Sequence, residues 1–434
     1  VHDMMYLAII WGGVFISSYM ANKTKLTPVL YFLAFGSVMV NMGILPEESS
    51  EFIKGFAEIG IILIMFALGF EEDSSHFVKG IKRSWGIALF GAIAPFVIAY
   101  VATWHFWHDA RLSMMCGLAM TATAVSLTMV SLKSENLHTS AAARGIMTSA
   151  ILDDVASLVL VAIMVPVATG SAEISIAGIA LILFKTALFF AIVTLLGIYI
   201  FPSRVTKGIF RYFPFVNALG LKDLLSTSNG EKATLTILLV ALLVSLLAYY
   251  FGFHPAVGAY MAGLIMKQEY FNFSQTETAE HYDNTKKIID DVAFSWIGPV
   301  FFVELGTKLI FELDIFVSVI PEIIILTTGL IFAQILSAGL AARYTGSYQW
   351  HESVMIGIGM LGRAELAFVV MDIGMRAGLF TTESFYTLMC TSFWLNICVP
   401  LGIKWWKPYY SGQKKMAFNI GKQKIMFSKP PEPE

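Results

Sequence analysis

Charge is scarce in this sequence. Only 14% of its 434 residues are Asp, Glu, Lys or Arg, against about 25% in an average soluble domain, which excludes an ordinary water-facing surface. Neither sign dominates, with 29 basic and 31 acidic residues, so the balance argues against a nucleic-acid partner. Cysteine is nearly absent. Cys116, Cys390 and Cys398 all fall in apolar segments, show no metal-ligand spacing and are odd in number. They read as reduced core residues and not as a disulfide framework or a metal centre. No nucleophile–base pair or ligand cluster stands out, so nothing points to an enzyme or to a resident cofactor. The first apolar run, 4–21, lacks the basic flank and the small-residue cleavage site of a secretory leader. Low-complexity sequence is confined to the tail, 411–434, which is basic, ends in PPEPE and is expected to be disordered.

What fills the chain is apolar sequence, 57% of it, with 34 Phe, 16 Tyr and 9 Trp to supply interfacial belts. A helix needs about 20 apolar residues to cross a bilayer. Thirteen candidate spans are expected, at 4–21, 27–43, 52–70, 85–104, 112–131, 145–168, 174–201, 233–251, 253–267, 288–306, 315–342, 352–375 and 384–403. The ninth is short, and Pro255 is placed to start it. With the N-terminus outside, 23 of the 29 basic residues fall in cytoplasmic loops or the tail. The outer loops hold only Arg111, Lys308 and Arg376, while Lys54, Lys185 and Arg363 lie within spans. This bias predicts an N-out, C-in, multi-pass protein.

Thirteen is six plus one plus six, the plan of inverted-topology repeats joined by a linker span. The expected organisation is a first repeat plus linker helix over 1–201, a cytoplasmic loop over 202–232, a second repeat over 233–407 and a cytoplasmic tail over 408–434. The loop holds an amphipathic stretch, IFRYFPFVNALGLKDLL, suited to lying on the membrane surface. The fold class is an all-α polytopic bundle.

The stretch SAILDDVASLVLVAIMV, 149–165, sets two adjacent aspartates, Asp153 and Asp154, inside an apolar helix. A carboxylate at bilayer depth costs roughly 2.5–3.5 kcal/mol or more, and two neighbours are harder still to keep ionised. Desolvation and like charge both favour protonation, so the pair is suited to bind a cation, a proton or both. Neighbours on a helix point about 100° apart; one can face a cavity while the other faces a partner. Under the repeat plan, span five matches span twelve. Span five contains TATAVSLT, 121–128, and span twelve contains GIGMLGRAEL, 357–366. Interrupted segments at matching places in two halves point to a transport site, where helix ends and carbonyls bind ions. The plainer alternative is that the hydroxyls bond back to their own helix and the glycines allow close packing.

Six motifs in order carry a family resemblance: FAEIGIILIMFALGFEED (56–73), TATAVS (121–126), ILDDVASLVLVA (151–162), FGFHPAVGAYMAGLIM (251–266), GPVFFVELG (298–306) and LGRAELAFVV (361–370). With them the chain resembles the monovalent cation:proton antiporters, in the branch of NapA-type sodium/proton antiporters and Kef-type potassium systems. The resemblance implies crossing discontinuous helices, a homodimer in a prokaryotic inner or internal membrane, and a role in pH homeostasis. It makes Asp154 the cation- and proton-binding carboxylate, Asp153 its accessory and Thr123 an oxygen ligand. Glu365, Arg363 and Ser126 support them. Electrogenic relatives pair the first aspartate with a lysine from the span before the second crossing helix. Here that span has no lysine; the position falls on Gln334, or on Ser337 if the alignment slides. The rival partner is Lys185, midway along the linker span, whose plain reading is a snorkelling lysine. Glu304 replaces a residue usually small and polar in relatives, and either lines the outer funnel or pairs with Lys308 at i,i+4. Asp372 is expected to pair with Arg376 at the same spacing.

The expected function is antiport of sodium or lithium against protons by alternating access, electroneutral for want of the lysine, with membrane lipid as its surroundings. Potassium/proton antiport is the alternative within the class. A cation channel or sensor on the same bundle is the alternative outside it.

Overall fold

The computed structural model describes the backbone of every residue except 1, 25–26, 72–73, 171–175, 198–224, 226–231, 267, 272–277, 364, 421–422 and 429–434. The amphipathic stretch 209–225, apart from Leu225, therefore lies outside the described residues, as do the side chains of Ser126 and Glu365. In chain order the helices are α1 His2–Thr24, α2 Pro28–Asn41, α3 Glu51–Glu71, α4 Ser74–Trp107, α5 Ala110–Ala119, α6 Val125–Ser134, α7 Ala141–Ala168 and α8 Ile176–Leu195. They continue as α9 Ala233–Tyr250, α10 Pro255–Leu264, α11 Thr278–Asp291, α12 Gly298–Thr307, α13 Leu313–Ser318 and α14 Ile320–Tyr344. Last come α15 Trp350–Gly359, α16 Glu365–Arg376 and α17 Thr382–Tyr410. Among the described residues, seven helices are long and apolar enough to cross a membrane: most of α1, α3, α4, α7, α9, α14 and α17. This is an all-α polytopic membrane fold, as helices satisfy their own backbone groups in lipid.

Local chemistry sets the helix ends. Asp109 caps α5, its carboxylate accepting from the backbone N–H groups of Arg111 at 2.8 Å and Leu112 at 3.1 Å. Pro255 does begin α10, after Gly252 at φ +84° turns the chain out of α9. The Glu352 carboxylate accepts from the Gln349 backbone N–H at 2.8 Å where α15 starts, and the Thr381 hydroxyl accepts from Ser384 at 3.2 Å where α17 starts.

Several expected spans are segmented. The stretch read as 288–306 begins in the polar helix α11, passes through a π-helical turn, Val292–Trp296, and resumes as α12. The spans read as 112–131 and 352–375 are each two short helices with a break between. The last helix runs on to Tyr410. The tail expected to be disordered carries a two-stranded antiparallel ladder, Ala417–Ile420 with Gln423–Met426. Beyond the ladder, Phe427 lies 5.1 Å from the Trp350 ring, an aromatic contact that basic composition does not reveal.

The chain divides into two compact units, each drawing on both halves of the sequence. One comprises Val1–Phe15, Val38–Ser74 and Val165–Lys308. There α3 packs against α10 and α12, and α10 against α9. Gly69 and Gly263 sit where a Cβ on either would strike the facing backbone, at Tyr260 and Phe66 respectively. Glycine lets these two helices meet at backbone distance. The other unit comprises Ile16–Ser37, Ser75–Met164 and Leu309–Glu434. In it α14 packs against α15 and α17, α17 against α6, and α16 against α5.

Candidate ion-binding site

Both broken helices belong to the second unit. The first break, Met120–Ala124, separates α5 from α6; the second, 360–364, separates α15 from α16. The breaks join backbone to backbone: the Ala124 N–H donates to the Gly362 carbonyl at 2.9 Å. The Thr128 hydroxyl donates to the Gly359 carbonyl at 2.6 Å. A Cβ on Gly362 would come within 3.1 Å of the Ala124 Cβ, so a side chain there would push the breaks apart. Helix ends freed in this way must find partners, and the two breaks serve each other.

Asp153 lies on α7 and is fully buried. Its Oδ2 accepts from the Thr123 backbone N–H at 3.2 Å and from the Thr123 hydroxyl at 2.9 Å. Thr123 precedes the first turn of α6, so the carboxylate sits where the helix dipole favours negative charge. The other oxygen, Oδ1, accepts no hydrogen bond from the described residues. Asp154, one residue on, is half-buried. The 100° step along α7 thus separates a held carboxylate from one that reaches accessible space.

Arg363 supplies the positive charge. It is fully buried, and its Nη1 donates to the carbonyls of Met360 at 3.1 Å, Leu361 at 3.1 Å and Gly362 at 3.0 Å. These carbonyls close the C-terminal end of α15, where a cation is favoured. Nη2 donates to the Gln334 Oε1 at 2.8 Å, and the Gln334 Nε2 donates to the Gly91 carbonyl at 3.2 Å. Arg363 and Asp153 interact electrostatically.

The expected partnerships shift accordingly. Sequence position sets Gln334 against Asp153; in the structure it holds Arg363 instead, and any effect on Asp153 passes through that guanidinium. Ser337 donates to the Gln334 carbonyl at 3.4 Å. Lys185 is exposed on α8, as a snorkelling lysine should be. Thr123 serves Asp153 directly. Glu304 pairs with Lys308 at 3.1 Å, and Asp372 with Arg376 at 2.8 Å. Glu365 begins α16 at the second break, and Ser126 lies in the first turn of α6.

Residues 12–406 match the transmembrane sodium/hydrogen exchanger family. The chain belongs to that family. Membership makes this exchanger a secondary-active antiporter of sodium against protons, and a transporter rather than a catalytic enzyme. It is 24% identical over 379 residues to the Na(+)/H(+)-K(+) antiporter GerN of Bacillus cereus, covering 86% of this chain and 87% of that one. It is 24% identical over 404 residues to a Na(+)/H(+) antiporter of Enterococcus hirae, covering 92% and 96%. The solved sodium proton antiporter MjNhaP1 of Methanocaldococcus jannaschii superposes with a TM-score of 0.65 at 14% identity, over 93% of this chain and 98% of that one. That likeness shows a shared fold.

The candidate site contains a residue that sequence reasoning missed. Asn396, fully buried on α17, accepts from the Arg363 backbone N–H at 2.8 Å and donates to the Arg363 carbonyl at 2.7 Å. It holds both backbone groups of the arginine at the break. The available signal was an amide inside an apolar span, which is itself costly.

Proposed function

We propose that this exchanger trades one sodium or lithium ion for one proton at Asp154, by alternating access, with Asp153 as the held accessory carboxylate. One observation carries the reading. A buried aspartate, anchored by Thr123 at a helix break and facing a fixed guanidinium, adjoins a half-buried aspartate on the same helix. Hard monovalent cations take carboxylate, hydroxyl, carbonyl and water oxygens. Asp154 has the access to trade ions with water; the Asp153 Oδ1 and the Thr123 hydroxyl offer further oxygens. Ser126 and Glu365 complete the supporting set.

The charge arithmetic supports electroneutral exchange. Arg363 balances Asp153, and arginine keeps its proton throughout. Asp154 is then neutralised by one cation on one half of the cycle and by one proton on the other. A lysine could have released a second proton; Gln334 and Arg363 cannot. The protein is further read as a homodimer of thirteen spans in two inverted repeats, set in a prokaryotic membrane with its N-terminus outside and its C-terminus cytoplasmic.

In proteoliposomes, sodium or lithium added outside should dissipate an imposed pH gradient, and Asp154→Asn should abolish this. Undiminished exchange in that variant overturns the site. A second reading, in which potassium also serves, is favoured by the name of the Bacillus cereus relative. Dissipation by potassium chloride under the same conditions selects it.

A further inference from the structure

The first unit holds a second buried carboxylate that the proposed cycle does not use. Glu304 lies in the last turn of α12 and is 2% exposed. Its Oε1 meets the Lys308 ammonium at 3.1 Å; its Oε2 accepts no hydrogen bond from the described residues. Glu304 and Thr307 line a cavity of about 10 Å³ together with Tyr6 of α1, Ser49 and Ser50 before α3, and four apolar residues. Among the described residues no other charged side chain lines it. Glu47 and Glu48, between the lining residues Pro46 and Ser49, are exposed, and at the start of α3 Glu51 and Lys54 pair with each other at 3.1 Å.

We propose that Glu304, with hydroxyls of Thr307, Ser49 and Ser50, forms a second binding site for one small monovalent cation, with the Lys308 ammonium as its tethered competitor. Three features point the same way. The carboxylate lies at a helix C-terminus, whose dipole disfavours an anion and favours a cation beside it. The two partners differ in exposure: the Lys308 side chain is 22% exposed and that of Glu304 2%. The ammonium can swing to water on its long stem, whereas the carboxylate cannot follow. A buried charge left unpaired is strongly unfavourable, so when Lys308 leaves Glu304 must be neutralised by a proton or by another cation. Finally, the cavity matches one water-sized body, and beside its four apolar residues it is lined by the hydroxyl-bearing Tyr6, Ser49, Ser50 and Thr307, oxygen being the ligand type of a bare sodium or lithium ion.

This site is independent of the aspartates, and counting bound sodium tests it. Radioactive sodium is equilibrated by dialysis with purified Lys308→Gln protein and with the Lys308→Gln/Glu304→Gln protein, both checked as monodisperse by size exclusion. Removing the competitor should add one sodium per chain relative to the unsubstituted protein, and the further Glu304→Gln change should remove it again. A gain of binding cannot come from misfolding. Failure of the aspartate site lowers every count alike and leaves the difference between the variants intact. Equal counts in the two variants, or no gain on Lys308→Gln, overturn the proposal.

Discussion

Adjacent aspartates with unlike surroundings can do unlike work. Asp153 is held at one oxygen by two donors of a single residue, Thr123. Hydrogen bonds to a charged group contribute about 1.5–3 kcal/mol, so Thr123→Val, which keeps the shape and the backbone donor, should raise the apparent sodium KM of antiport by roughly tenfold. An unchanged KM in pH-gradient dissipation would remove Thr123 from the site. Arg363 acts through charge and shape together. Its fork meets three carbonyls and the Gln334 amide, and a lysine ammonium cannot copy that geometry. Arg363→Lys should therefore impair transport although it keeps the charge. Arg363→Gln should impair it further, because Asp153 then loses its balancing cation. Wild-type rates in Arg363→Lys would show that only the charge matters. The double aspartate was legible from composition alone, since two acids stand out in an apolar helix. The Gln334–Arg363 contact was not, because it joins side chains 29 residues apart on different helices.

At the scale of elements, the site depends on two helix breaks that cross and bond. The close approach at Gly362 leaves no room for a branched side chain. Gly362→Val should separate the breaks and cost about 1–3 kcal/mol from overpacking alone. Asn396→Ala acts on the same place from α17. It orphans the N–H and C=O of Arg363, at about 1–3 kcal/mol for each buried group. Both variants should lower the thermal melting temperature in detergent, and an unaltered melt would show that the breaks tolerate relaxation. The breaks themselves were readable in TATAVS and GIGMLGRAEL, because small and polar residues interrupt the apolar runs. Their mutual hydrogen bond was not, since a sequence shows that a carbonyl is freed and not which N–H will meet it. The polar start of the 288–306 span was likewise masked, because a 20-residue window averages α11 into α12.

At the scale of the whole molecule, the fold is that of a membrane antiporter, and its charges bear on stoichiometry. Under the proposed cycle, in which Arg363 stays charged and Asp154 is neutralised on each half, transport should ignore an imposed membrane potential. Sodium-driven proton flux measured with and without a valinomycin–potassium diffusion potential should coincide. Strong dependence on the potential would reject one-for-one exchange and would require a second titrating group.

The amino-acid sequence by itself determined that this is a many-helix membrane protein, that two adjacent acids sit inside one of its apolar helices, and that two of its helices are interrupted. Each of these follows from local chemistry, because apolar length, an acid inside it and small polar interruptions are all properties of short stretches. Only the tertiary structure decided which groups satisfy one another. Thr123 rather than Gln334 holds Asp153, Asn396 secures Arg363, and Glu304 meets Lys308 beside a small cavity. Partners across helices are selected by packing, and packing in lipid is set by small residues and by freed backbone groups over long separations, which no local pattern records.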